Sequence, residues 1–217
     1  VPTEHRDRFA LHLDHCLDTT LIEQCVRAGW DSVMIDASSF PLEENIARTK
    51  SVVAMAHAAG VVVEGELGEV LGAEDGFEQA EAAVSGRVTP DDVQIFVTET
   101  GVDLMAVGVG TRHGFYEHAP GSIDIDLLRA VHRRCPEIPL VLHGGSGVPL
   151  EQVRETIRSG VRKVNVSTEL KKAYLDASAR HLESSDRYNV IEGLRNGVAA
   201  VRQVVEDKAV AFRSVMS

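Results

Sequence analysis

The sequence predicts an α/β fold: a (β/α)8 TIM barrel, incomplete at the N-terminus, with six βα units in one domain over residues 1–217. Three observations carry this reading. Six short apolar runs alternate with helical patterns, which means either a doubly wound sheet or a barrel. The runs are rich in Val, Leu and Ile and do not strictly alternate, as expected of strands buried on both faces. Nearly every run ends in polar or glycine-rich sequence: LDHC, IDASS, EGELGE, GTRHG, HGGSG and NVSTE. A barrel builds its site from all the loops at one face, whereas an open sheet concentrates it at one switch point. Six chemically loaded strand ends therefore favour the barrel. The chain starts almost directly at a strand and closes on a helix, so the two remaining strands are expected upstream.

Taken in order, Phe9–Asp14 reads as the first strand. Thr20-Leu-Ile-Glu23 resembles a capping box, and Leu21, Ile22, Cys25 and Val26 keep helical spacing until Gly29. Ser32–Asp36 is the second strand. Pro41 suits the first turn of the next helix, with Glu43 and Glu44 near the positive end of its dipole and Gly60 at its stop. Val61–Glu66 is the third strand. About 22 residues follow, from Leu67 to Val88, before a helix at Thr89. Loops of that length in compact domains are usually lids or active-site loops, and Gly68, Gly72, Gly76 and Gly86 would let this one move. Asp103–Val109 is the fourth strand and Leu140–His143 the fifth. Pro149 begins a helix with Leu150, Val153 and Ile157 on one face and Gly160 past its end. Lys163–Val166 is the sixth strand, and a long helix runs from Val190 to the C-terminus.

Composition narrows the function classes. The net charge of −11 argues against nucleic acid and anionic membrane as partners, yet leaves room for an anionic small substrate held by helix N-termini. Cys16, Cys25 and Cys135 are odd in number and lack CxxC spacing, so no disulfide framework is implied and a cytoplasmic setting fits best. No signal peptide is visible, and no run of 18 apolar residues could span a membrane.

Three histidines, His15, His113 and His143, each stand at the end of an apolar run. Imidazoles at the carboxyl ends of strands in one parallel sheet can converge, and three protein ligands with one open position hold a catalytic zinc. His113 and His143 are 30 residues apart, one βα repeat, with glycines beside both. Asp14 precedes His15. Adjacent strand residues point to opposite faces, but where the chain turns both can reach the mouth; a buried Asp–His pair is the competing reading. His12 should point into the barrel as a packing or hydrogen-bonding residue, while His57, His132 and His181 are expected to be solvated. Glu64 and Glu66 share one side of their strand and can hold a second cation position or fix a histidine tautomer. Glu74, on the long loop, can act as a general base when the loop closes; a solvated acidic loop is the alternative. The run His143-Gly-Gly-Ser-Gly147, with Asn165-Val166-Ser167-Thr168 one unit later, has the makings of a phosphate cradle. Lys163 lies on a strand with nothing to mark it as desolvated, so Schiff-base chemistry is not expected.

Together the strings ALHLDH, SVMIDASSFPLEENI, VEGELGEVLGAEDG, TGVDLMAVGVGTRHGFY, PLVLHGGSGVP and GVRKVNVSTELK resemble the class II, zinc-dependent fructose/tagatose-bisphosphate aldolase family, in family order through nearly the whole chain. The resemblance implies His15, His113 and His143 as zinc ligands, with Asp36 and Glu66 near an alternative metal position. It implies Asp14 as the acid/base at the C4 hydroxyl and Glu74 as the residue exchanging a proton at C3. Gly114, Gly144, Gly145, Ser146, Asn165, Val166, Ser167 and Thr168 would hold a phosphate, with a monovalent cation nearby. Arg195, in GLRNG, would reach a neighbouring subunit's phosphate in a homo-oligomer, a dimer or tetramer. The implied reaction splits a ketose bisphosphate into dihydroxyacetone phosphate and an aldehyde. Family members begin with two further βα units before ALHLDH, and Ser167 does not settle which sugar is used. A non-catalytic truncated barrel serving as a subunit, and a zinc hydrolase, are the other readings; the phosphate cradle argues against the hydrolase.

Overall fold

In the computed structural model, strands β1 (His12–Cys16), β2 (Ser32–Ile35), β3 (Val62–Leu67), β4 (Ala73–Glu74), β5 (Phe77–Glu78), β6 (Leu104–Val107), β7 (Leu140–Leu142) and β8 (Val161–Val164) are interleaved with seven helices among the described residues. The helices are α1 (Thr19–Arg27), α2 (Leu42–His57), α3 (Pro90–Thr100), α4 (Ile125–Arg134), α5 (Leu150–Arg158), α6 (Thr168–Ser184) and α7 (Val190–Arg213). The structure describes residues 8–68, 70, 73–74, 77–78, 88–112, 114, 123–184, 189–213 and 215.

Six strands form one parallel sheet in the order β1-β2-β3-β6-β7-β8. That order never reverses among the described strands, so they show no switch point and the sheet follows the barrel pattern. β1 and β8 end the hydrogen-bonded order, yet Asn165 Nδ2, just past β8, donates to Asp14 Oδ1 on β1 at 3.1 Å. The sheet therefore curls until its two edges meet through side chains, giving a half-barrel of six βα units.

Strand alternation divides the side chains into two layers. Val33, Ile35, Val63, Met105, Val107, Leu140, Leu142 and Val161 face outward and pack with Ile22, Val52, Phe96, Leu128, Val131 and Val153 of the helices. Gly65 belongs to this face: a Cβ there would lie 2.9 Å from the Phe96 ring, so α3 reaches the sheet only because residue 65 has no side chain. The inner face carries His12, Asp14, Glu64, Glu66, His143 and Lys163, where barrels more commonly pack branched apolar residues.

Several local expectations are revised. β1 starts three residues later than its apolar run, and β8 two residues earlier. The start of α1 is capped by Asp18, whose Oδ1 accepts from the N–H of Thr20 at 2.8 Å and of Leu21 at 3.3 Å, not by Thr20. Pro41 stands just before α2. The segment after β3 contains a short antiparallel pair, β4 with β5, instead of running as loop throughout. Thr89 and Asp92 form a capping box for α3, which ends on Gly101 at φ +72. His181 is buried, not solvated. It sits between α6 and α7, its Nε2 donating to the Asn189 carbonyl at 3.2 Å. Cys16, Cys25 and Cys135 are buried free thiols. No helix among the described residues is long and apolar enough to cross a membrane.

Candidate metal centre

The site begins with a fault in β1. His12 pairs with Ser32 and Leu13 with Val33, but Cys16 then pairs with Ile35, so β1 carries one residue more than β2. This β-bulge re-aims side chains, as bulges beside active sites commonly do. His15 takes it up at φ +43, the only positive φ outside glycine among the described residues. Asp14 and His15 are neighbours that a regular strand would send to opposite faces. The bulge delivers both to the mouth of the half-barrel.

From His15 a line of hydrogen bonds crosses the mouth. Its Nδ1 donates to Asp36 Oδ2, 2.8 Å away at the end of β2. Its Nε2 meets His143 Nδ1 at 2.7 Å. His143, at the end of β7, donates from Nε2 to Glu64 Oε1 at 2.8 Å. The other oxygen of Glu64 accepts from Lys163 Nζ at 2.9 Å. Glu66 lies alongside, its buried Oε2 without a hydrogen bond and 3.4 Å from His143 Nδ1. Asp14 accepts from Asn165 Nδ2 at both oxygens, 3.1 and 3.2 Å.

The charges follow from this geometry. Burial works to lower His15, but the bond to Asp36 and the negative charges of Glu66, Asp36 and Asp14 prevail and raise it to about 9. Burial works to raise Asp14, yet a bond from His12 and the charges of His15, Lys163 and His143 hold it well below the carboxylate range. Asp36 and Glu64 are also depressed against their burial, Asp36 by its bond to His15 and Glu64 by its bond to His143 and the Lys163 charge. Glu66 goes the other way: burial, then the nearby Asp36 charge, pushes it well above the ordinary value.

Three sets of potential ligand atoms share this space, Asp14–His15–His143, His12–Asp14–Glu64 and His15–Asp36–Glu66, each with its atoms within 4.8 Å of one another. Imidazole nitrogens and carboxylate oxygens are the donors that zinc takes. An unbonded, fully buried carboxylate oxygen on Glu66 beside two imidazoles is the arrangement a cation would relieve. The donor types fit a divalent cation such as zinc, with His15 common to the set that holds His143 and the set that holds Asp36 and Glu66.

Other expected residues fall as follows. His113 lies outside the described residues, so the structure joins two of the three histidines. Glu74 is in β4, paired with Phe77, and its side chain lies outside what is described. Gly114 has φ +90. Gly144, Gly145 and Ser146 adjoin the segment 165–168: Gly145 N donates to the Asn165 carbonyl at 3.0 Å, and Ser146 Oγ accepts from Ser167 N at 3.2 Å and Glu169 N at 3.3 Å. Thr168 opens α6 and Val166 sits in the short segment before it. The two glycines are needed for this meeting of loops. A Cβ on Gly144 would lie 2.5 Å from the Arg112 carbonyl, and one on Gly145 2.7 Å from Val164. Arg195 is exposed on α7 and is joined to the cluster by no hydrogen bond or ion pair among the described residues. Lys163 is a member of the cluster that the sequence does not mark, because a strand lysine carries no local sign of burial. Its side chain is 28% exposed, and its ammonium lies inside the cluster.

Comparison with known proteins agrees with this architecture. The profile of the family described as Fructose-bisphosphate aldolase class-II matches residues 3–216. A fructose-bisphosphate aldolase of Streptococcus pyogenes serotype M3 is 38% identical over 215 residues, covering 94% of this chain and 71% of the streptococcal one. Its counterpart in Streptococcus pneumoniae serotype 4 is 37% identical over the same span. Among solved structures, the YdjI aldolase of Escherichia coli K12 superposes with a TM-score of 0.71 at 29% identity, covering 94% of this chain and 66% of that one. A candidate fructose-1,6-biphosphate aldolase of Coccidioides immitis gives 0.79 at 30% identity, covering 95% and 73%. With the profile matched almost end to end, the chain belongs to the class-II fructose-bisphosphate aldolase family.

Proposed function

We propose that this chain catalyses the reversible aldol cleavage of a ketose bisphosphate, of the fructose- or tagatose-1,6-bisphosphate type, into dihydroxyacetone phosphate and an aldehyde. The observation that carries it is the pairing of His15 with His143, each ring held from behind by a carboxylate, with the ionised Asp14 beside them on the same bulge. His15, His143 and His113 would hold zinc, which supplies Lewis-acid stabilisation of the charge that develops on the substrate's carbonyl oxygen. Asp14, kept deprotonated by its cationic neighbours and oriented by Asn165, takes the C4 hydroxyl proton as the C3–C4 bond breaks. Glu74 returns a proton to C3. The loops 143–147 and 165–168, the second leading into α6, bind the phosphate of the dihydroxyacetone-phosphate half with backbone N–H groups, a monovalent cation beside them.

Exposed apolar residues on α6 and α7, among them Leu175 at 65% and Leu182 at 71%, support association into a homo-oligomer in which Arg195 reaches a neighbour's site. The deciding experiment is cleavage of fructose and tagatose bisphosphates, before and after chelation, with zinc added back. Activity abolished by chelation and restored by zinc is expected. A zinc-replete protein that cleaves neither sugar refutes the reading.

A further inference from the structure

Two members of the cluster neither touch substrate nor move a proton in the reaction just described: Glu64 and Lys163. Glu64 is fully buried on β3, and Lys163 reaches in from β8, 99 residues away in sequence. Their contacts are directional. Glu64 Oε1 faces His143 Nε2 at 2.8 Å, and Oε2 faces Lys163 Nζ at 2.9 Å. The same ammonium lies 3.5 Å from His12 Nε2 and 3.9 Å from Asp14 Oδ1. A neutral imidazole carries one N–H, and the partner of one nitrogen decides which role the other plays.

We propose that Glu64 and Lys163 are a positioning pair for His143: Glu64 takes the Nε2–H of the ring and leaves Nδ1 as the lone-pair nitrogen that accepts from His15, while Lys163 pins the second carboxylate oxygen. The pair does for His143 what Asp36 does for His15, with the cation as an added anchor. Its effect on metal affinity rests on the zinc reading above; its effect on the tautomer does not. Carboxylates behind metal-ligating histidines typically contribute 10–100-fold in affinity. The chemistry of the contact also discriminates between substitutions. A carboxylate offers an acceptor to each neighbour, whereas an amide has one acceptor and one donor, so glutamine at position 64 can serve His143 or Lys163 but not both.

The test uses the whole chain, first stripped of metal. Two-bond proton–nitrogen spectra should show His143 as the Nε2–H tautomer, and in Glu64→Gln or Lys163→Met the population should move toward Nδ1–H. Zinc is then titrated against a chromophoric chelator. Glu64→Gln should lose about 10–100-fold in affinity, Lys163→Met a smaller factor, and Lys163→Arg, which keeps a cationic donor, should recover most of the loss. A wild-type Nδ1–H tautomer overturns the pair, as do zinc affinities equal to wild type in both variants. If the wild type takes up no zinc, the metal reading fails and the spectra alone decide: an unchanged tautomer in both variants overturns the pair, and a shifted one sustains it. Far-ultraviolet circular dichroism excludes misfolding; should Glu64→Gln not fold, the two lysine variants carry both measurements.

Discussion

His15 and His143 meet edge to face, their ring planes at 82° and their nitrogens 2.7 Å apart. Each ring's far nitrogen is on a carboxylate, Asp36 behind one and Glu64 behind the other. The near nitrogens thus face each other across one shared proton. A metal ion held by these two rings would compete with that proton, and this coupling leads to the first two predictions.

Zinc binding should release a proton at neutral pH. His15 holds its proton up to about pH 9 in the metal-free chain, so proton and metal compete for the same nitrogen. Apparent zinc affinity should climb as pH rises from 6.5 and level off above about 9. Calorimetric titration in buffers of different ionisation enthalpy measures the release directly. Binding with no proton displaced at pH 7 would contradict this arrangement.

Stability should respond to pH in opposite senses with and without metal. A raised histidine value stabilises the fold fully below its ordinary value of 6.5 and loses that contribution as pH rises through about 9. The raised Glu66 acts in the same direction. Asp36 and Glu64, being depressed, contribute above the ordinary carboxylate range and lose their contribution as pH falls through their lowered values. Metal-free protein should therefore melt at lower temperature at pH 9 than at pH 6.5, while zinc-loaded protein gains, so the gap between the two widens. Thermal melts at both pH values, with and without zinc, check the sign.

Asp14→Asn should separate chemistry from metal binding. The amide keeps the shape but cannot take a proton, so kcat should fall by about 10²–10⁴ while KM moves little. Zinc content should stay that of the wild type, because the histidine cluster retains both carboxylates behind its rings. His143→Ala should lose metal and activity together. Equal kcat in Asp14→Asn and wild type would remove the proton-transfer role.

Gly65→Ala should destabilise the fold without touching the mouth. A methyl there lies 2.9 Å from the Phe96 ring, which is itself fully buried between α3 and the sheet. Overpacking of this kind costs about 1–3 kcal/mol. Chemical denaturation should show a lower midpoint with unchanged slope, and the zinc affinity should be that of the wild type. Phe96→Ala, which empties the same contact, should cost about 3–5 kcal/mol.

Most of the strand and helix order can be read along the chain, because apolar periodicity, caps and glycine stops are properties of neighbouring residues. The barrel-like sheet order follows from six parallel units joined by short helical crossovers. Strand ends proved less legible: β1 and β8 are displaced by two or three residues because pairing partners, not apolarity, set where hydrogen bonding stops. His181 shows the same limit, since its burial depends on α7 lying over it. The β-bulge also leaves no local mark, for an extra residue is defined only against the partner strand.

By itself the sequence determined the parallel α/β architecture, the placing of His15 and His143 at strand ends, and the glycine-rich turns beside them, all through patterns a few residues long. Tertiary structure alone decided that Asp14 and His15 share one mouth, that Glu66 Oε2 is left buried without a hydrogen bond, and that Glu64 stands between His143 and Lys163. Those relations join residues 79 and 99 positions apart. They exist because the sheet curls until β8 faces β1, and that closure is a property of six strands together and of no segment within them.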